Sequence, residues 1–108
     1  MRQESARICR AFIERRYAKA KRTTSLGNDL LLHGNRIAWW NPDGSVSMTL
    51  AGWGTPTTRD RLNTLCWLMF ATRPFHQKKH QQHYDGKPID VDAVFTFHPI
   101  ADEFKLAA

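Results

Sequence analysis

LLLHGNRIAWWNPDGSVSMTLA, residues 30–51, decides the fold class. It holds three short runs suited to strands, separated by two turn signals. Leu30 to His33 runs into Gly34-Asn35, two residues that tolerate the positive φ of a tight hairpin. Arg36 to Trp40 runs into Asn41-Pro42-Asp43-Gly44, a second strong turn sequence. Ser45 to Ala51 then alternates, with Val46, Met48 and Leu50 on one face and Ser45, Ser47 and Thr49 on the other. A period of two with one apolar face predicts a three-stranded antiparallel meander over 29–51, buried on one side. Trp39 and Trp40 are neighbours on a strand and so point to opposite faces. One belongs to the core, and Trp40 is the candidate for surface contact.

Toward the N-terminus the period changes. From Gln3 to Ala20 there is no Gly or Pro, and Ala, Arg, Glu and Lys are good helix formers. On a helical wheel Ile8, Cys9, Phe12, Ile13, Tyr17 and Ala20 gather on one half. Most of the cations take the other half. Arg16 projects from the apolar half, which requires its stem to lie along the core or its head to find a buried acceptor. The reading is a basic amphipathic helix within residues 1–22, followed by a polar stretch from Thr23 to Asn28 that turns at Gly27-Asn28.

Toward the C-terminus a helix over 58–72 is predicted. Thr57 and Asp60 have the spacing of a capping box, and Leu62, Leu65, Cys66, Met69 and Phe70 recur at helical spacing. Arg73-Pro74 ends it. Residues 75–97 read as an extended hairpin region: Phe75 to Gln77, Gln81 to Tyr84, a turn at Asp85-Gly86, and Val94 to Phe97. Pro88 and Pro99 limit continuous pairing there. The class is α+β, one domain over 1–104 with helices packed on an antiparallel sheet. Lys105 to Ala108 reads like translated cloning-site sequence and is set aside.

Composition narrows the function without naming it. Hydrophobic residues make up 42% and charged residues 24%, ordinary globular values. No apolar run reaches the roughly 18 residues of a membrane span, and no signal region opens the chain. With no sign of secretion, Cys9 and Cys66 read as two reduced, buried thiols in a cytoplasmic protein. The net charge of +6 sits in the first 22 residues, where eight basic residues stand against Glu4 and Glu14. From Thr23 onward eight basic and eight acidic residues cancel. Charge gathered on one segment points to a polyanion or an acidic protein surface.

The middle of the chain resembles a family of small bacteriophage proteins of uncharacterised function. The matching residues are LHGNRIA at 32–38, LAGW at 50–53 with Thr55, and TTRDRLN at 57–63. The Gln/Lys-rich hairpin from Gln77 to Gly86 is similar to one in those proteins. The resemblance spans roughly 27–89, implies a phage origin, and brings no catalytic residues or cofactor. Much of the motif has a structural explanation in turns and caps. Arg59, Arg61 and Asn63 stand out, because a cation such as Arg59 in a first helical turn opposes the dipole unless it contacts something.

Other constellations are weaker. His76, His80 and His83 would share a helix face and could then hold zinc, but Pro74 and Gly86 bracket an extended segment. A hairpin turning near Lys79-His80 would separate the rings, and Lys78 and Lys79 would repel a cation. Cys66 and Cys9 lie on apolar faces with no catalytic signature around them. Asp85, Asp90 and Asp92 read as solvated loop residues. The six glycines mark turns rather than a phosphate loop, and no cofactor is implied.

The leading expectation is therefore a non-catalytic phage-type accessory protein that binds nucleic acid. Its contacts would be Arg7, Arg10, Arg15, Lys19, Lys21 and Arg22, with Arg59, Arg61, Lys78, Lys79 and Trp40 beside them. The alternative is a module that docks its cations on an acidic host protein to inhibit or redirect it. A histidine-cluster metal enzyme ranks last. A membrane-surface helix is disfavoured because the apolar face of the first helix is needed to cover the sheet. Oligomeric state is left open.

Overall fold

Two turns form within residues 30–51, the first one residue earlier than predicted, and the strands beside them pair. The computed structural model describes residues 3–98. In chain order the elements are α1 (Gln3–Ile13), β1 (Tyr17–Lys19), β2 (Thr23–Leu26), β3 (Asp29–Leu32), β4 (Asn35–Trp40) and β5 (Val46–Thr49). There follow α2 (Pro56–Phe70), β6 (Phe75–Lys78), β7 (Gln81–Tyr84), β8 (Lys87–Pro88) and β9 (Val94–Phe97). Strands β1 to β5 pair in sequence order, each antiparallel to the next, and β9 returns antiparallel to β5. The result is a six-stranded sheet, with a smaller antiparallel sheet of β6, β7 and β8. The class is α+β as predicted, but the meander is longer than three strands.

The extension comes from residues 14–26, where the predicted helix stops early. Arg15 adopts φ 57°, its N–H donates to Phe12 O at 3.0 Å, and the Arg16 N–H donates to Ala11 O at 2.7 Å. This pair of bonds is a Schellman cap, closed here by arginine instead of glycine. Beyond it Tyr17, Ala18 and Lys19 lie opposite Leu26, Ser25 and Thr24. Tyr17 is consequently exposed on a strand rather than buried on a helix. Arg16 is exposed as well, and its guanidinium pairs with Glu14 instead of a buried acceptor. The polar stretch from Thr23 became a strand because its hydroxyls are satisfied: Ser25 Oγ donates to Arg16 O at 2.7 Å.

Both helices lie on one face of the large sheet. Ile8, Cys9 and Phe12 of α1 and Leu62, Leu65, Cys66 and Met69 of α2 form one cluster with Leu30, Leu32, Ile37, Ala38, Val46, Met48 and Leu50. Trp40 joins it, stacked on Phe12 with ring centroids 5.6 Å apart and donating from Nε1 to Phe12 O at 3.0 Å. The turn over 41–45 sets Trp40 opposite Val46, so the two share a face and Val46 takes Trp40 inward. Trp40 is thus a core residue, 5% exposed, and the assignment of surface contact to it is overturned.

Helix α2 begins two residues before the predicted start. Thr55, not Thr57, is the N-cap: its Oγ1 accepts from the Thr58 N–H at 3.2 Å, and Pro56 opens the first turn. Asp60 leaves the capping role to pair with Ser5 and Arg61. The helix ends with Ala71 at φ 56°, before Arg73-Pro74. The small sheet then packs on the large one through aromatic rings. Tyr84 stacks on Phe95 at 4.4 Å and Phe75 meets Phe95 edge-on at 5.8 Å, while Phe70 at the end of α2 stacks on Phe97 at 5.4 Å. The predicted cloning-site tail and Pro99 lie outside the described residues, as do Met1 and Arg2. No helix among the described residues is long and apolar enough to cross a membrane.

Candidate functional site

The N-terminal cations divide between elements rather than lining one helix. Arg7 and Arg10 are exposed on α1; Arg15 and Arg16 sit in its cap; Lys19 is on β1; Lys21 and Arg22 occupy the β1–β2 connection. The Arg7 guanidinium donates to Lys19 O at 3.2 Å, which holds the helix against the edge strand. Arg15 lies over the Trp40 ring, 4.5 Å from its centroid. The remaining cations face solvent around one edge of the sheet.

That edge leads onto a sheet face that no helix covers among the described residues. Alternation and register place Tyr17, Lys19, Leu26, Thr24, Leu31, Arg36, Trp39 and Thr96 on it. Arg36 and Trp39 meet there because β4 carries a bulge. Leu30 pairs with Ala38 but Leu31 with Arg36, leaving Ile37 extra. Ile37 and Ala38 both turn inward, at 1% and 0% exposure. Arg36 then stacks over Trp39 at 4.0 Å and lies 3.7 Å from Asp29. Tyr17 stands 65% exposed opposite Leu26. This face combines flat rings with cations, the composition that stacks unpaired bases and neutralises phosphates. Of the two neighbouring tryptophans it is Trp39, not Trp40, that lies on this face.

The arginines of the second helix have other duties. Arg61 is 4% exposed and bridges three elements: Nε donates to Thr23 Oγ1 at 3.0 Å, Nη1 to Ser5 and to Asp60 at 2.8 Å, and Nη2 to Glu4 at 3.3 Å. It is a buried strut and is unavailable to a partner. Its place on the inward stripe with Thr58, Leu62 and Leu65 was the signal for this. Arg59 donates to Gly54 O at 2.9 Å and to the Gln77 and Gln82 side chains at 3.0 and 3.1 Å, tying α2 to the small sheet. Asn63 receives the Phe75 N–H at 2.8 Å and donates to Phe75 O, acting as a substitute strand.

Lys78 and Lys79 are exposed at the tip of the small hairpin. The three histidines do not converge. His76 and His83 face each other across β6 and β7 with ring centroids 5.0 Å apart, while His80 sits in the turn at φ 67°. Among the described residues no group of three or more His, Cys, Asp or Glu is placed to hold a metal ion. Both thiols are buried and free, and burial pushes each up to about 12. Thiols held so firmly protonated are not nucleophiles.

A second feature escaped the sequence reading. A groove of about 410 Å³ opens between the β3–β4 turn and the start of α2. Leu32, Ile37 and Leu50 line its apolar part, with Trp53 beside them and His33, Asn35, Thr55 and Thr57 supplying polar groups. Every lining residue falls within the segments 32–38, 50–53, 55 and 57–63 that carry the phage resemblance. Hairpin geometry creates the rim: His33 and Gly34, at φ 53° and 80°, are the two turn residues, one step earlier than the Gly34-Asn35 pair predicted.

The family described as Kyanoviridae Gp96 protein matches residues 1–99. No curated protein and no solved structure matches the chain.

Proposed function

The chain belongs to the Kyanoviridae Gp96 protein family, a family of phage proteins, and from that premise we propose that it is an accessory protein that binds single-stranded nucleic acid. The observation that carries the reading is the uncovered sheet face, where Tyr17 and Trp39 lie among Lys19 and Arg36. Exposed Arg7, Arg10, Lys21 and Arg22 border the same sheet edge. Stacking tolerates any base, and the cations follow phosphates, so the binding is sequence-tolerant and falls steeply with salt. A duplex hides its base faces, which favours the single strand.

Fluorescence anisotropy with labelled single- and double-stranded oligonucleotides across a salt series tests this. Replacing Arg10, Lys19 and Arg22 with Gln is expected to weaken binding. It also lowers the single-strand salt slope by about 0.7 for each phosphate that is no longer neutralised. Absence of binding to either strand form at low salt by the folded protein removes the reading. The second reading, docking on an acidic host protein, is favoured by exposed Leu26 facing Tyr17 at the sheet edge. A partner from host lysate that survives nuclease treatment but leaves at high salt would select it.

A further inference from the structure

The groove at the start of α2 has its own chemistry. Its lining contains no carboxylate and no Lys or Arg, so its occupant is uncharged where it is enclosed. Trp53 is 57% exposed and stands beside the apolar floor. The side chains of His33, Asn35 and Thr57 and the Trp53 indole N–H make no hydrogen bond to another described residue of the protein. Asn, Thr and neutral His each donate and accept. An apolar floor, a flat ring and several uncommitted polar groups are the make-up of a small-ligand site, and the volume is in the range of such sites.

Charge appears at the rim. The His33 N–H donates to Arg22 O at 2.8 Å, which joins the groove's turn to the connection bearing exposed Lys21 and Arg22. A neutral planar interior with cations outside complements a ligand that is neutral and flat at one end and anionic at the other.

We propose that the groove between the His33-Gly34 turn and Thr57 binds one nucleotide, with its base against Trp53 and its phosphate toward Lys21 and Arg22. For a nucleotide within a strand the proposal rests on the function proposed above; for a free nucleotide it stands separately.

The test uses the full chain, a labelled single strand of mixed sequence, the same strand made abasic, and adenosine and uridine monophosphates. Trp53→Ala changes a mostly exposed side chain, and circular dichroism confirms its fold; Asn35→Leu serves as a second variant. If the groove takes a base from a strand, both variants lose about tenfold in strand affinity with the salt slope unchanged, and neither differs from wild type on the abasic strand. If it takes free nucleotides, the monophosphates shift the Trp53 indole resonance saturably even if no strand binds, so the groove stands while the function above fails. Equal strand affinity in wild type and both variants, with no monophosphate shift, overturns the groove and leaves strand binding intact. Loss of all binding overturns both. Saturation by N-acetyltryptophanamide but by no nucleotide overturns the proposal in favour of a docking groove for a protein side chain.

Discussion

Arg36 lies over Trp39 at 4.0 Å from the ring centroid, although the two are three positions apart on one strand. Strict alternation would put them on opposite faces. The extra residue Ile37 corrects the parity, so one bulge both supplies a core side chain and assembles a cation–ring pair on the open face.

Arg36 is exposed and Trp39 half-buried, so the contribution of the pair to stability is small. Arg36→Ala is expected to cost under about 1 kcal/mol in urea unfolding. The same change red-shifts Trp39 emission by admitting water. Arg36→Lys keeps the charge but loses the planar stack, and its emission falls between the two. An unchanged spectrum in Arg36→Ala would show that the stack is not populated in solution.

Arg61 represents the opposite case. Its guanidinium is satisfied by Thr23, Ser5, Asp60 and Glu4, and removing it strands groups on three elements. Arg61→Met is expected to destabilise by about 3 kcal/mol, measured by urea unfolding. Adding Asp60→Asn removes the stranded carboxylate and recovers part of that loss. A loss below about 1 kcal/mol for Arg61→Met would mean that the network is not a net strut.

The legibility of this chain follows the range of the interactions. The hairpins over 30–49 and 75–84 rest on alternation and local turns, and both were readable. The end of α1 was not, because Arg15 fills a left-handed position that glycine usually marks. The register of β4 against β5 decides which tryptophan is buried, and it depends on how the 41–45 turn counts its residues. The open face and the groove join segments far apart in sequence, and no local pattern reports them. Arg61 reads as a contact residue by its charge, and its place on the apolar stripe of α2 is the signal of burial that the charge outweighed.

The Lys79-His80 turn offers a stabilising change. Both residues hold positive φ, 50° and 67°, between directly paired strands. Such a turn favours Asn-Gly, since non-glycine side chains pay about 1 kcal/mol or more in the left-handed region. Lys79→Asn with His80→Gly is expected to gain about 1 kcal/mol and raise Tm by about 4–8 °C. A fall in Tm would show that the two side chains hold the hairpin through contacts of their own.

The two buried thiols set the alkaline limit of stability. Burial raises Cys9 and Cys66 from an ordinary 9.0 to about 12, and it also raises Tyr84. Protons stay on the folded thiols in a range where the unfolded chain has released them. Their contribution is therefore complete below about pH 9 and is lost as pH climbs from there toward about 12. Urea midpoints are expected to be flat from about pH 7 to 8.5 and to fall steadily above about 9. Cys9→Ala with Cys66→Ala starts from lower stability because it leaves small cavities, but its decline across the same window is shallower. A thiol-specific chromogenic reagent at about pH 8 should find no reactive thiol in the native protein and both after unfolding. Fast labelling of either cysteine in the folded state would place that side chain at the surface and contradict the packing of α1 against α2.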